Sequence, residues 1–253
     1  MSESKRRSIV ERGDGFGAQF LTIIYSAAYC NHHSLEFVYK PIRIMEHNYD
    51  NDPEFINKIE ELINFRNNFT NYNNLTQNEK EGVVDFQIWD IINLIKKDCN
   101  LYLGRDNIQT IRKYFLENKN LNYFDNNYFN VAVHVRRPNS HDNRIEGGNI
   151  PDTYYLNTIN KIRQKHSDKK LLFHIYSQGD VNNFASYLND DIVLHINESL
   201  SDTFISLVTA DALVMSASDL SYSAAVLSLG EIYYLYQGWY AHPPLSHWIV
   251  NNP

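Results

Sequence analysis

Phe129-Asn-Val-Ala-Val-His-Val-Arg-Arg137 and, further on, Val214-Met-Ser-Ala-Ser-Asp-Leu-Ser-Tyr-Ser223 decide how this chain is read. In the first stretch Val131, Val133 and Val135 alternate and are β-branched, which spells a buried strand. That strand delivers His134, Arg136 and Arg137 to its carboxyl end, where open α/β sheets hold their ligands. The second stretch continues an apolar strand over 212–215 into Ser216, Ser218, Ser221 and Ser223. Guanidinium groups at one strand end, with hydroxyls and backbone N–H groups at another, are what a nucleotide diphosphate requires. The expected ligand is therefore a nucleotide sugar.

Outward from these stretches the alternation is regular. The strand at 129–136 is followed by a loop with Gly147 and Gly148, a helix over 151–166 and a strand over 171–176. A helix around 181–188, a strand at 192–196 and a helix opened by Asp202 come next. The strand 212–215, a helix over 221–229 and a strand over 231–235 complete the run. Five strands separated by helices imply parallel βαβ crossovers and a doubly wound sheet. The polar, asparagine-rich stretch 118–127 reads as a linker, giving an amino-terminal α/β domain over 1–125 and a carboxyl-terminal Rossmann-type domain over 126–253.

The amino-terminal half opens with a strand at 8–11, the loop Gly13-Asp-Gly-Phe-Gly17 and an apolar helical pattern over 18–30. Such a βα unit can turn its helix N-terminus to an anion or a sugar hydroxyl, with Gly15 and Gly17 admitting the ligand to the backbone. The alternative is a tight turn, because the third glycine of the dinucleotide fingerprint is missing. A strand at 35–39, a helix from Pro53 to about Arg66, a loop over 67–80, strands at 83–86 and 101–103, and a helix around 111–116 fill the rest.

With 253 residues, 43% of them apolar, the chain can bury substantial cores. A net charge of -7 argues against nucleic acid as a partner. No apolar run approaches the roughly 20 residues that cross a bilayer, and no secretory segment follows Met1, so the expected location is cytoplasmic, the host cytoplasm for a viral chain. Cys30 and Cys99 have neither metal-ligand nor disulfide-framework spacing.

Each candidate residue has two readings. Arg136 either grips a diphosphate or makes a structural ion pair, and Arg137 supplies a second charge or a salt bridge. His134 bonds a base or phosphate, or is a satisfied core histidine. Asp202 either accepts from the N1–H and N2 amino edge of guanine or caps a helix. Ser216, Ser218 and Ser221 divide between phosphate-binding hydroxyls and helix caps. His141, Asp142 and Asp14 are the candidate general bases, set against plain solvated loop residues. Asp50 and Asp52 have metal-chelating spacing but precede Pro53 in a polar loop, so no metal or other cofactor is expected. Of the aromatic carboxyl-terminal stretch, Tyr233 and Tyr234 read as packing, while Trp239 and Trp248 either pack or line an acceptor groove.

These residues carry a resemblance. His134-Val-Arg136-Arg137 resembles the His-x-Arg-Arg motif of the α-1,2, α-1,6 and protein O-fucosyltransferase superfamily. Asp202-Thr-Phe-Ile-Ser-Leu-Val-Thr-Ala-Asp211-Ala-Leu-Val-Met-Ser216-Ala-Ser218 is similar to its last motif, and Gly13-Asp-Gly-Phe-Gly-Ala-Gln19 resembles the amino-terminal element of the α-1,2 branch. The resemblance implies a GT-B-like fold: two Rossmann-type α/β/α halves with parallel sheets facing a cleft. It implies metal-independent, inverting transfer of fucose from GDP-fucose to an oligosaccharide or glycoprotein, in the manner of compact bacterial or large-DNA-virus members. Arg136 would contact the β-phosphate, His134 and Asp202 the guanine, and Ser218 the phosphates. Pro138-Asn139 stands where the superfamily often has an acidic residue after the arginines, and the first carboxylate here is Asp142. Viral relatives that use other donors keep UDP-xylose as an alternative, and a non-catalytic nucleotide- or glycan-binding module is the rival on the same scaffold.

Overall fold

The computed structural model describes residues 5–48, 51–137, 150–235 and 242–251. The chain divides into two compact units, Met1–Lys119 and Asn120–Pro253.

In the first unit β1 (Arg6–Ile9), β2 (Glu36–Tyr39), β3 (Thr70–Asn71) and β4 (Val83–Phe86) form a wholly parallel sheet in the order β3-β2-β1-β4. Between β1 and β2 runs α1 (Phe16–His32), which is apolar on nearly every side and correspondingly buried from Phe20 to Ala28. The helix α2 (Phe55–Ile63) ends at Asn64, whose left-handed backbone stops the helix while its side-chain amide donates to the Tyr114 and Glu117 carbonyls, both at 3.0 Å. A Thr76–Glu79 capping box opens α3 (Gln77–Glu81) within the stretch expected to be a loop. The sequence pattern missed α4 (Ile88–Lys97), which buries Ile91, Ile92 and Ile95 at helical spacing. The expected strand at 101–103 is instead α5 (Cys99–Leu103), capped by the Asp98 carboxylate and followed by α6 (Arg105–Leu116). Three apolar residues in a row do not distinguish strand from buried helix, and the cap decides here.

One buried carboxylate joins α2 to β2 and to the segments that follow each. Glu60 accepts from the Tyr39 hydroxyl at 2.8 Å, the Ile42 N–H at 2.7 Å and the Arg66 guanidinium at 2.7 Å.

In the second unit β5 (Phe129–His134), α7 (Asp152–Lys165), β6 (Leu171–Ser177), a 3-10 turn at Val181–Tyr187, β7 (Ile192–Ile196), α8 (Leu200–Thr209), β8 (Ala212–Val214), α9 (Asp219–Leu227) and β9 (Glu231–Leu235) follow in turn. A sixth strand, β10 (Ile249–Asn251), was not expected; it pairs with β9 in parallel, Val250 opposite Tyr234. The order is β10-β9-β8-β5-β6-β7, every pairing parallel, with Val133 opposite both Ile175 and Val214. Val131, Val133 and Val135 point into a core shared with Tyr155, Ile159 and Ile162 of α7. Gly230 permits the return from α9 into β9, since a Cβ there would lie 2.5 Å from the Ala210 carbonyl oxygen.

Residues 120–127 belong to the second unit, to which they are fastened side chain by side chain. Tyr123 donates to Asp202 at 3.0 Å, the Phe124 ring lies 4.8 Å from that of His174, and Asn130 donates to the Asp125 carbonyl at 3.0 Å. Polarity made this stretch look like a bare linker; its aromatic residues have partners that lie far along the chain.

Replacing Glu60 by Ala strands a buried hydroxyl and a buried N–H, each worth ~1–3 kcal/mol when left unsatisfied. Glu60→Ala should therefore lower stability by about 3 kcal/mol in equilibrium denaturant unfolding.

Candidate functional site

The strand order places a topological switch point between β5 and β8: β6 and β7 extend the sheet on one side of β5, and β8, β9 and β10 on the other. Ligands of such sheets bind outside the carboxyl ends at that point. The residues ending β5 and β8 are His134, Arg136 and Ser216.

These residues are first of all bonded to one another. The His134 Nδ1 lies 2.6 Å from the Ser221 Oγ, and the Ser216 N–H donates to that same oxygen at 3.2 Å. The Arg136 N–H donates to the Ser216 Oγ at 3.3 Å, and the Tyr155 hydroxyl is 2.8 Å from it. Ser216 and Ser221 are buried and committed to this knot. Burial, and secondarily the nearby Arg136 charge, push the His134 imidazole down to about 4, so it is neutral near pH 7. His134 thus ties β5 to α9 through its Nδ1.

Arg136 and Ser218 stand at the opening. The Arg136 guanidinium donates to the Ala217 carbonyl at 3.0 Å, which sets its fork beside the start of α9. Ser218 is the N-cap of that helix, accepting from the Leu220 N–H at 3.2 Å. A guanidinium beside a helix N-terminus is anion-binding chemistry. Asp219, in the same first turn, counters it in part and lies 3.5 Å from His242. Arg137 plays no part at this opening: it pairs with Asp152, which also accepts from the Tyr187 hydroxyl at 2.8 Å, and its guanidinium lies 5.3 Å from the Phe184 ring centre.

Asp202 lies beyond the end of β7, as the third residue of α8. The cap is Ser199, whose Oγ accepts from the Asp202 N–H at 3.0 Å. The expected cap role of Asp202 therefore passes to Ser199, and the Asp202 carboxylate faces outward with Oδ2 accepting from the Ser199 hydroxyl at 2.6 Å and Oδ1 from Tyr123 at 3.0 Å.

The family model for glycosyl transferase family 11 matches residues 36–247. The chain belongs to glycosyl transferase family 11. It is a glycosyltransferase. No curated protein matches it. Among solved structures it is similar to the E. coli heptosyltransferase WaaC with ADP-2-deoxy-2-fluoro heptose, at 11% identity and a TM-score of 0.44, over 97% of this chain and 92% of that one. It is also similar to the fucosyltransferase NodZ from Bradyrhizobium, at 10% identity and a TM-score of 0.40, over 88% and 93% of the two chains.

In the first unit of this family 11 protein the glycine loop is closed over itself. The Asp14 carboxylate pairs with Arg12 and accepts from the Gly15 N–H at 2.8 Å, while the Asp14 carbonyl accepts from the Gln19 amide at 2.8 Å. Gly15 is the N-cap of α1, and a Cβ on it would lie 2.6 Å from the His47 ring. The absent side chain thus makes room for a histidine, and Gly17 is already within the first turn of α1. His141, Asp142 and Trp239 lie outside the described residues. Trp248 is buried against Tyr222 and Tyr234, with ring centres 5.3 and 6.0 Å away, which settles it as packing. Among the described residues no cluster of three or more His, Cys, Asp or Glu has metal-holding geometry, and no helix is long and apolar enough to cross a membrane.

The sequence pattern gave no sign of Tyr123, Tyr155 or Asp152, since each acts on a residue far along the chain. It also passed over a chain of polar contacts from β5 to β7. Asn130 donates to the Asp125 and Tyr128 carbonyls, so its Oδ1 can only accept, here from the His174 Nε2 at 3.1 Å. The His174 Nδ1 then accepts from the His195 Nε2 at 3.0 Å, and the His195 Nδ1 meets the Glu198 carboxylate at 2.6 Å.

His134 makes stability pH-dependent. Its folded-state value lies below its unfolded one, so between about pH 6.5 and about pH 4 the unfolded chain holds the extra proton and stability falls as the pH falls. The loss from this group is on the order of 3 kcal/mol over that window, and is complete below it. His134→Gln should flatten that slope in unfolding free energies measured at several pH values, whatever its effect on stability near pH 7.

Proposed function

We propose that this family 11 glycosyltransferase moves L-fucose from GDP-fucose to a hydroxyl of an oligosaccharide or glycoprotein, by inverting displacement that uses no metal. The observation that carries the reading is the Arg136 guanidinium held beside the Ser218-capped N-terminus of α9 at the switch point of the sheet. A diphosphate placed there meets a guanidinium fork and the N-terminal end of α9. The acceptor oxygen forms its bond to the anomeric carbon as the bond from that carbon to the diphosphate oxygen breaks. The diphosphate leaves with the electron pair, stabilised by Arg136, and the acceptor proton passes to a loop base for which His141, Asp142 and Asp14 are the candidates. At the other end of the nucleotide, the outward-facing Asp202 carboxylate accepts from the N1–H and N2 amino group of guanine.

Removing one preorganised donor to a developing charge typically costs on the order of 10²–10³ in rate. Arg136→Ala should therefore lose transfer by at least that factor while keeping a cooperative unfolding transition; wild-type turnover in the folded variant would remove Arg136 from the mechanism. In thermal-shift titrations with GDP, UDP, GDP-fucose and UDP-xylose, a ligand at 100 times its dissociation constant stabilises by about 2.7 kcal/mol. Selective stabilisation by GDP and GDP-fucose, unaltered by EDTA, is the expected result. Selective stabilisation by UDP would overturn the donor, and loss of the shift in EDTA would overturn metal independence. Asp202→Ala should bring GDP and UDP to comparable affinity.

A further inference from the structure

We propose that Tyr123 competes with the nucleotide base for Asp202, so that its hydroxyl tempers donor and product affinity; this rests on the reading of Asp202 as the base acceptor. Both carboxylate oxygens of Asp202 have a partner, Ser199 on Oδ2 and Tyr123 on Oδ1. The two partners differ in kind. Ser199 is the cap of α8 and is held by the same turn, whereas Tyr123 comes from the stretch 120–127, outside any regular element. Burial, then the hydrogen bond to Asp202, push the Tyr123 hydroxyl up to about 12, so it remains a donor throughout the neutral range.

The exchange follows from donor counts. Guanine presents two donors on one edge, N1–H and the N2 amino group, and swaps them for one phenol. Hypoxanthine presents N1–H alone. Uracil presents N3–H between two carbonyl oxygens that a carboxylate repels, so it gains nothing by displacing the phenol. The apparent affinity of a base that must displace Tyr123 is its intrinsic affinity reduced by the fraction of molecules in which Asp202 is open.

Tyr123→Phe keeps the ring and removes the competing donor. Isothermal titration of the full chain with GDP, IDP and UDP should show GDP and IDP tightening by about three- to tenfold, the effect of one charge-assisted bond at a half-exposed site, with UDP unchanged. In an Asp202→Ala background the same substitution should change nothing. An unchanged or weaker GDP affinity in Tyr123→Phe, with its unfolding transition intact, overturns the competition and leaves the role of Asp202 standing. Equal tightening in the Asp202→Ala background overturns it too, since the effect then bypasses the carboxylate. If Asp202→Ala alone keeps full preference for GDP over UDP, the base reading itself has failed and the competition falls with it.

Discussion

The hydrogen-bond knot of His134, Ser221, Ser216 and Tyr155 is what the carboxyl edge of the second unit depends on. Its members come from β5, the turn after β8, α7 and α9, so one small group of side chains fixes two adjacent strands and a helix on each face of the sheet. Buried polar groups are stable only when fully paired, and a network of this kind specifies one arrangement because any slip leaves an orphan. The knot also requires a neutral imidazole, which burial supplies. Arg136 is placed by it: the backbone N–H is held by Ser216 and the guanidinium by the carbonyl of the next residue in that turn. The cation at the opening is therefore positioned by groups that themselves face inward.

The alternation of strand and helix in the second unit was legible because parallel strands buried on both faces are written as β-branched apolar runs, as over Val131 to Val135 and Ala212 to Val214. The short elements were not. Residues 101–103 are apolar enough for either state, and the Asp98 cap that makes them helical is visible only once its contact with the Leu101 N–H is formed. Three residues of β10 have no periodicity to detect and become a strand by pairing with β9. At the candidate site the residue types were legible but their division of labour was not. Nothing local separates Ser216 and Ser221, which face inward, from Ser218, which caps a helix; the difference lies in the neighbours that β5 and α7 bring. The partners of Asp202 are equally non-local in one case, Tyr123, and local in the other, since Ser199 three residues before an acidic residue is a capping pattern.

The contacts that run from Asn130 to Glu198 extend the same logic across the sheet. Two carbonyls fix the direction of the Asn130 amide, and that direction passes through His174 to His195 without a free choice at any step. Burial, and then the neighbouring His195, push His174 down to about 4, in keeping with its place as an acceptor. The His195 Nδ1 in turn meets the Glu198 carboxylate, while the His195 ring stacks on Tyr176 at 4.5 Å. Glu198 immediately precedes the Ser199 cap, so this chain orients the turn from β7 into α8 on which Asp202 depends. Asn130 anchors the stretch around Asp125 at the same time, and the stretch that carries Tyr123 and the turn that carries Asp202 share one continuous set of bonds.

A common feature of these polar groups is that each already has a protein partner. Arg136 has the Ala217 carbonyl, Ser218 the Leu220 N–H, Asp202 both Ser199 and Tyr123, and Asp14 both Arg12 and the Gly15 N–H. Binding at such groups is an exchange of hydrogen bonds, and the net gain is the difference between the new bond and the old one. In the unliganded protein these internal bonds hold the side chains in place. They also limit how tightly a ligand can be held. Under the proposed assignment of Arg136 to the diphosphate and Asp202 to the base, that limit acts on product release as much as on donor capture, because the same two groups are met before and after the sugar has moved.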